Sequence, residues 1–269
     1  MISLEPCVDY SSILDMKAAW LRSVTAPFDG MWETGFIDPA PHFLIQVNGD
    51  LAGYYVVNDE GALLQFFLVP EHAGKGKEIF GEVIGQDSIK SAIVQTIDSL
   101  FLSLCLDSHL NLSVHTYLYQ HELQVDAVHP SSEGTVLESA DLADLDRVND
   151  FQIACLGGNE ELRSWLQGYS TNLIRRSELF VLRRGPKWIG LGEYRKSDSQ
   201  TNIVDVGVMV HPDHRGNRWA AYILSLLAEQ GRTLGHDVIC STTVENVASQ
   251  KAITRAGFVS RNRILSVQF

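Results

Sequence analysis

The same order of predicted elements occurs twice along this chain, and this repeat limits the folds that are open to it. In the first half, residues 43–55 predict a β-hairpin, because an Asn-Gly pair between two apolar runs is a strong turn signal. Residues 179–192 form its counterpart. After each hairpin, an apolar strand ends in a proline, an acidic residue and a histidine, at 70–72 and again at 212–214. We therefore expect two similar units in tandem.

The second copy contains a predicted strand, a short turn and a helix over residues 208–221. A strand that leads into such a turn points several backbone N–H groups and the positive end of a helix dipole at one place, which suits a pyrophosphate. The small side chains of Ala220 and Ala221 would allow close approach to the backbone, and Arg215 and Arg218 add positive charge. The helix is predicted from apolar residues at helical spacing, namely Trp219, Tyr222, Ile223, Leu226 and Leu227.

A stretch further downstream makes this pattern specific. Residues 238–244 are strand-like, and Asn246 then caps a short helix that ends at Gly257, a residue suited to the left-handed conformation. The two stretches in this order resemble the GNAT superfamily of acyl-CoA-dependent N-acetyltransferases. That family's pyrophosphate motif is Gln/Arg-x-x-Gly-x-Gly/Ala, and its later motif runs from an Asn to a Gly-Phe pair. The resemblance covers about residues 135–269.

The resemblance, together with the repeat, implies an α/β (α+β) chain of two GNAT-like domains in tandem, each with a mixed, mostly antiparallel twisted sheet flanked by helices. It also implies acetyl-CoA as the acyl donor. In the family, backbone N–H groups of the fourth strand polarise the thioester, and the pantetheine amides pair with that strand. Gly207 precedes the matching strand here and would mark the place where the sheet opens. The residues that would bind acetyl-CoA are Val208, Met209, Val210, Arg215, Gly216, Asn217, Arg218, Trp219, Ala220, Ala221 and Asn246.

Two positions depart from the family pattern. Arg218 stands at the fourth motif position, which is usually Gly, so its side chain either points away from the pyrophosphate or supplies an extra cation. Ile253 stands where the family often has a Tyr that protonates the departing thiolate. Either another group supplies this proton, with Tyr222 and Tyr194 as candidates, or water does.

Acylation of an amine also needs a base, because an alkyl ammonium with a pKa near ~10 is almost entirely charged at neutral pH. Asp205 is the first candidate, since strand alternation puts it on one face with Met209 in the strand that enters the turn. Glu193 on the preceding strand is the second, and Glu245 is the third, although its place beside Asn246 is more typical of a neighbour of a helix cap. The alternative for Asp205 is a strand-end carboxylate that faces solvent. The terminal carboxylate of Phe269 is also expected near the site.

The first copy lacks the residues that carry this chemistry. Over residues 73–78 the leading Arg of the motif is lost, and Glu78 stands where the phosphates need a small residue. Residues 91–105 contain neither the Asn nor the Gly-Phe pair, and their spacing fits a strand or a helix. We therefore predict that the first domain is a degenerate copy.

The predicted domain bounds are 1–128 for the degenerate GNAT-like domain and 129–269 for the acetyl-CoA-binding domain, with a linker within 121–134. The first domain would shape the acceptor pocket or hold the two sheets together. Tyr54 and Tyr55 are expected to line that pocket.

Composition excludes several other classes of protein. A net charge of −12 argues against a general nucleic-acid binder and is compatible with amine substrates. No apolar run approaches the ~20 residues that span a membrane, and the N-terminus lacks a signal peptide. The four cysteines are far apart, which argues against a zinc ribbon or a disulfide framework and favours the cytoplasm. His211 and His214 have no third ligand nearby, so no metal site is predicted.

These observations predict an acyl-CoA-dependent N-acetyltransferase that transfers acetyl from acetyl-CoA to a primary amine of a small molecule or a peptide. The alternative is a non-catalytic module that binds or senses acyl-CoA. Ile253 favours this alternative, because it stands where the family often has the Tyr that protonates the thiolate. The acceptor pocket is expected in the less patterned residues 16–40 and 148–178, which do not indicate the acceptor itself. We expect a monomer or a homodimer, without nucleic-acid or membrane partners.

Overall fold

The computed structural model describes residues 1–126 and 133–269, which form two compact units. Unit 1 comprises Met1–Leu118 together with Asn262–Phe269, and unit 2 comprises Tyr119–Arg261. The predicted boundary between residues 128 and 129 lies outside the described residues, as does the middle of the predicted linker. Within the described ranges, no helix has the length and apolar character to cross a membrane.

Unit 1 contains a sheet whose first five strands are adjacent in chain order. β1 to β4 pair antiparallel, whereas β4 and β5 pair parallel. The strands are β1 (Ile2–Pro6), β2 (His42–Val47), β3 (Asp50–Val57), β4 (Ala62–Leu68) and β5 (Ser91–Gln95), and β6 (Asn111–His121) begins in this unit. The helices are α1 (Leu14–Ser23), α2 (Gly30–Trp32, continued by a π-helix over Glu33–Ile37), α3 (Pro70–Ala73), α4 (Gly76–Ile84) and α5 (Ser99–Ser108).

Unit 2 repeats this topology. β7 to β10 pair antiparallel, and β10 and β11 pair parallel. The strands are β7 (Thr135–Ser139), β8 (Leu179–Arg184), β9 (Lys187–Lys196), β10 (Ile203–Val210) and β11 (Asp237–Thr243), and the last strand, β12 (Phe258–Gln268), begins in this unit. The helices are α6 (Leu145–Leu156), α7 (Glu160–Arg175), α8 (Trp219–Leu234) and α9 (Val247–Arg255). The predicted tandem arrangement is confirmed.

Turn and cap residues account for the local structure. Asn48 and Gly49 both have positive φ, 55° and 90°, as a tight two-residue hairpin turn requires. Residues 91–105, whose spacing fitted a strand or a helix, form β5 followed by α5. Asp98 separates the two, because its carboxylate accepts a hydrogen bond from the Phe101 N–H at 3.1 Å and caps the helix.

Tyr54 and Tyr55 belong to the core of unit 1, so their predicted role in lining an acceptor pocket is wrong. Their side chains are 0% and 1% exposed. Neighbouring residues of a strand point to opposite faces of the sheet. Tyr54 packs in a cluster with Trp20, and Tyr55 packs in a second cluster with Phe66. Helices cover both faces, and each ring is therefore enclosed.

In unit 2, α6 and α7 cover one face of the sheet and α8 covers the other. Gly190 of β9 faces α8, and a Cβ at this position would lie 2.6 Å from Ile223 Cδ1 and 2.7 Å from the Met209 carbonyl oxygen, so a larger residue would force the backbone to shift. Leu191 and Met209 point to the opposite face, where they pack with Phe151 of α6.

The C-terminal residues belong to unit 1. Residues 264–268 of β12 pair antiparallel with β5, and the ring of Phe269 packs against Phe80 with centroids 5.8 Å apart. The expectation that the Phe269 carboxylate lies at the site of the second domain is therefore not supported.

Candidate functional site

The sheet of unit 2 opens between β10 and β11. The ladder between these parallel strands ends, within the described residues, at the pair Asp205–Ile239. Beyond that pair lies a cavity of about 70 Å³, lined by Gly207 and Val208 on one side and by Ile253 of α9 on another. The two strands therefore diverge immediately after Asp205.

A larger cleft of about 670 Å³ adjoins this opening, between the end of β10, the turn into α8, and α9. It includes most of the residues predicted to bind acetyl-CoA, namely Val208, Met209, Val210, Arg215, Gly216, Arg218, Trp219, Ala220 and Asn246. Two predicted residues lie elsewhere. Ala221 is buried within α8, and the Asn217 amide donates to the backbone carbonyls of His214 and Arg215, which holds the turn in shape.

Arg218, the residue before α8, has a left-handed backbone conformation, with φ 67° and ψ 12°. This geometry explains why the GNAT motif usually has glycine here, since a side chain in this conformation costs roughly 1–2 kcal/mol. The Arg218 side chain does not cap the 16-residue helix. The positive end of the helix dipole lies beside Trp219 and Ala220, which line the cleft.

The charged side chains of the cleft are all basic. Arg215, Arg218, Lys251 and Arg255 line it together with His214, and no aspartate or glutamate of the described residues does. In a chain of net charge −12, this concentration of positive charge is local to the cleft. The lining fits a ligand with several phosphate groups, which describes acetyl-CoA.

Arg215 has a further role that the sequence did not indicate. Its Nη2 donates to the Cys155 carbonyl at 2.8 Å, and its Nε donates to the Val210 carbonyl at 3.2 Å. It therefore joins the end of α6 to the end of β10 and fixes two walls of the cleft. The Cys155 thiol lies at the same wall, where burial raises its pKa and keeps it protonated.

Sequence reasoning missed several residues of the cleft. Ala248, Lys251, Ala252 and Arg255 recur at spacings of three and four on α9, so they share one helix face that continues from Asn246. That spacing was a usable signal. Cys155 and Leu156 line the cleft from the end of α6, just before a turn formed by Gly157 and Gly158, and nothing in the sequence marks them.

Asp205 and Glu193, the predicted bases, lie side by side under α6 and α7. They are 5% and 7% exposed, so the alternative of a solvent-facing Asp205 is wrong. Arg195 contacts both: its Nη2 is 3.1 Å from Asp205 Oδ1, and its Nη1 donates to Glu193 Oε2. The Tyr169 hydroxyl of α7 donates to the same Glu193 oxygen at 2.8 Å. Gly207 lies opposite Glu193 in the ladder and leaves room for this carboxylate, since a Cβ there would be 3.1 Å from Oε2.

This group of four side chains holds two carboxylates against one guanidinium. Burial alone would lower the pKa of Arg195, but Asp205 and Glu193 raise it well above its usual value, so Arg195 stays charged. Burial, with the nearby Glu193 charge, raises the pKa of Tyr169, so its hydroxyl stays protonated and remains a donor. With both carboxylates ionised, the group carries one net negative charge. Gly207 lies opposite Glu193, and Met209, two residues further along β10, lines the cleft. These two residues of the strand are about 7 Å apart.

The candidates for the general acid lie away from the cleft. The Tyr194 hydroxyl is 2.7 Å from His236 Nδ1, and the Tyr222 ring packs against Trp219. Neither is among the described residues that line the cleft. Ile253 is 4% exposed beside the small cavity, so an apolar side chain fills the place of the family's Tyr.

His211 has a local role in the turn. Its Nδ1 accepts a hydrogen bond from the Asp213 N–H at 3.3 Å, and its ring lies against Phe151. In the described part of the chain, no group of three His, Cys, Asp or Glu side chains is placed to hold a metal ion.

Apolar side chains fill the corresponding region of unit 1. The β4–β5 ladder is also short, with two pairs, but Phe66, Phe80 and Phe101 pack together beyond it with ring centroids 5.2–6.2 Å apart. All three rings are 1–2% exposed. Counted from the helix caps Asp98 and Asn246, Phe101 and Leu104 of α5 take the places of Ser249 and Ala252 of α9, which line the cleft. These observations agree with the predicted degeneracy of the first copy.

Comparisons with known proteins identify the same two regions. Two family models, both described as an acetyltransferase (GNAT) domain, match residues 9–122 and 137–259. The chain is 34% identical to an acetyltransferase of the GNAT family from Colwellia psychrerythraea, with 99% of each chain covered and a TM-score of 0.92. No curated protein matches it.

Two more distant structures share the fold. A GCN5-related N-acetyltransferase from Sphaerobacter thermophilus has a TM-score of 0.67 at 14% identity, with 98% of this chain and 94% of that chain covered. A tandem GNAT protein from the clavulanic acid biosynthesis pathway has a TM-score of 0.63 at 14% identity, with 99% and 97% covered.

Proposed function

Because the chain belongs to the GNAT acetyltransferase family, we propose that unit 2 binds acetyl-CoA and transfers its acetyl group to a primary amine of a small molecule or a peptide. The observation that carries this proposal is the basic cleft at the end of β10, beside the N-terminus of α8. Arg218, Lys251 and Arg255 would hold the phosphates, and Val208–Val210 would pair with the pantetheine arm.

When bound, acetyl-CoA supplies a thioester: the amine nitrogen bonds to the carbonyl carbon, and the carbon–sulfur bond breaks. Glu193 and Asp205 would attract the ammonium form of the acceptor and take its proton, either directly or through water. Their shared Arg195 leaves one net negative charge for this purpose. The thiolate takes a proton from solvent, since Ile253 replaces the family's usual Tyr.

The proposal is tested by incubating the protein with acetyl-CoA and a panel of amines, with the acetylated product measured by mass spectrometry. Glu193→Gln and Asp205→Asn keep the shapes of the side chains and remove the charge. We expect each to lower kcat/KM for the amine by 10²-fold or more, while acetyl-CoA still raises the melting temperature as in the wild type. Full activity in either variant would remove that residue from the reaction.

A non-catalytic acyl-CoA sensor is the second candidate function, favoured by the buried Ile253 and by the pairing of both carboxylates with Arg195. It predicts that acetyl-CoA binds and that no amine in the panel is acetylated. Slow hydrolysis of acetyl-CoA is measured without any amine. Its rate is the background against which acetylation of an amine, or its absence, is judged.

A further inference from the structure

One exposed aromatic side chain of unit 2 is linked to the buried carboxylates through Tyr169. Trp165 of α7 is 57% exposed, whereas Trp20, Trp32 and Trp219 are 5–6% exposed. Its ring stacks on Tyr169, with centroids 5.0 Å apart and planes 11° from parallel. Because the Tyr169 hydroxyl donates to Glu193, the stack connects an exposed indole face directly with the negatively charged group below it.

A third member of this face is acidic. Glu161, Trp165 and Tyr169 are four residues apart in sequence, so they form one stripe along α7. Glu161 is exposed and makes no ion pair with any described residue. The nearest cation on the helix, Arg163, is already engaged with Asp150 at 2.9 Å and with Glu160. The stripe thus has an unpaired carboxylate at one end and the carboxylates under Tyr169 at the other, with an indole face between them.

These charges and this aromatic face suit a ligand with two cationic ends. An ammonium is attracted to carboxylates and to the face of a tryptophan ring, and the attraction to the ring is strongest for the indole. From Glu161 to Tyr169 the helix rises about 12 Å. The alkyl chain that joins the two cations would lie across the Trp165 ring, which shields it from water.

We propose that the acceptor is a linear dibasic amine, whose reacting nitrogen lies at Glu193 and whose second ammonium lies between Trp165 and Glu161. This inference rests on the proposed function of unit 2 and names the class of its acceptor. The reacting nitrogen forms the amide bond as the carbon–sulfur bond breaks, and the second ammonium is unchanged. Trp165 and Glu161 are specificity residues, and Tyr169 is a positioning residue, because its ring stacks on Trp165 and its hydroxyl donates to Glu193.

The test uses unbranched terminal diamines from diaminobutane to diaminodecane and the monoamines of the same carbon number, with acetyl-CoA as donor. For the wild type, kcat/KM for diamines should rise with chain length to an optimum that spans the stripe. At that optimum, the diamine should exceed the matched monoamine by about tenfold. Equal values for diamines and monoamines at every length would overturn the proposal.

Three variants assign the preference to residues. Trp165→Ala should raise KM for the best diamine by about tenfold without changing KM for acetyl-CoA, and Trp165→Phe should retain part of the preference. Glu161→Gln should remove the optimum in chain length. Glu160→Gln, a neighbouring exposed carboxylate outside the stripe, and Leu234→Ala, an equally exposed apolar truncation on α8, are the matched controls and should behave as the wild type. An unchanged diamine preference in both Trp165→Ala and Glu161→Gln contradicts the proposal.

A direct binding measurement separates this inference from the proposed function. Calorimetry on the protein loaded with CoA compares diaminodecane with decylamine. Tighter binding of the diamine that is lost in Glu161→Gln supports the cationic subsite even if no amine is acetylated, a result that would overturn only the proposed reaction. Equal binding of the two ligands overturns the subsite, whatever the activity.

Discussion

Arg218 occupies a backbone conformation that favours glycine, at the entrance of a cleft that is rich in positive charge. Its left-handed φ of 67° carries a steric cost, and its guanidinium adds to the repulsion among Arg215, Lys251 and Arg255 when no anion is bound. Both costs fall on the free protein. Arg218 therefore lowers the stability of the free protein and raises its affinity for an anionic ligand.

Replacing Arg218 by Gly should stabilise the free protein by about 1 kcal/mol, because glycine adopts positive φ without a clash. A rise in melting temperature of about 2 °C is expected in a thermal scan without ligand. Arg255→Ala is the control, since it removes a cation of the same cleft from a helical residue and relieves charge repulsion alone. A melting temperature of Arg218→Gly no higher than that of Arg255→Ala would show that the left-handed conformation is not strained.

At the scale of single residues, the sequence predicted where the residues of the site lie better than it predicted which groups their side chains contact. The motif placed Arg215 at the cleft, but its donors go to the Cys155 and Val210 carbonyls, because the end of α6 comes within reach only in three dimensions. Strand alternation correctly placed Asp205 on the face of Met209. It gave no sign of Arg195, whose pairing with Asp205 and Glu193 depends on the antiparallel register of β9 and β10.

At the scale of elements, α9 contributes as much charge to the cleft as the turn before α8. The family motif emphasises that turn, whereas Lys251 and Arg255 lie one helical turn apart on the face of α9 that borders the cleft. Both side chains are exposed, so their contribution to binding depends on salt.

The double variant Lys251→Ala/Arg255→Ala should weaken acetyl-CoA binding by tenfold or more at low ionic strength, because charge-assisted hydrogen bonds to phosphates are lost. The dependence of the dissociation constant on salt should also become shallower than in the wild type. Calorimetric titrations at several salt concentrations measure both quantities. Lys187→Ala, which removes an exposed cation of the β8–β9 hairpin, is the control; equal salt dependence in all three proteins would exclude α9 from the binding site.

The elements themselves were largely predictable because their signals are local. The hairpin at Asn48 and Gly49, the helix α8 and the cap at Asn246 depend on neighbours within a few residues, and each formed as predicted. In the predicted stripe of α8, Tyr222 and Leu226 are only half-buried. By contrast, residues 160–175 gave no clear pattern, yet they form the long helix α7. Its buried face contains Ser170 as well as Leu166 and Leu173, and the Ser170 hydroxyl is satisfied by Gln152 of α6, a partner that sequence reasoning alone does not reveal.

At the scale of the whole molecule, two copies of one topology have diverged in what fills the space beyond the parallel ladder. In unit 2 this space is a basic cleft, and in unit 1 it is packed with the rings of Phe66, Phe80 and Phe101. A cofactor could enter this space in unit 1 only by displacing buried aromatic rings, each of which contributes several kcal/mol to the core. The sequence indicated this divergence through Glu78, but the aromatic packing became evident only from the register of β4 and β5.

The most direct test of this account is a calorimetric titration of the intact chain with acetyl-CoA, repeated with Lys251→Glu. We expect one molecule bound per chain in the wild type, and binding that is lost or weakened at least a hundredfold in the variant, since a carboxylate then faces the phosphates. Lys251 is preferable to Arg215 for this purpose because Arg215 also holds the walls of the cleft together. Two molecules per chain, no binding, or equal affinity in the variant would contradict the assignment of acetyl-CoA to the basic cleft of unit 2.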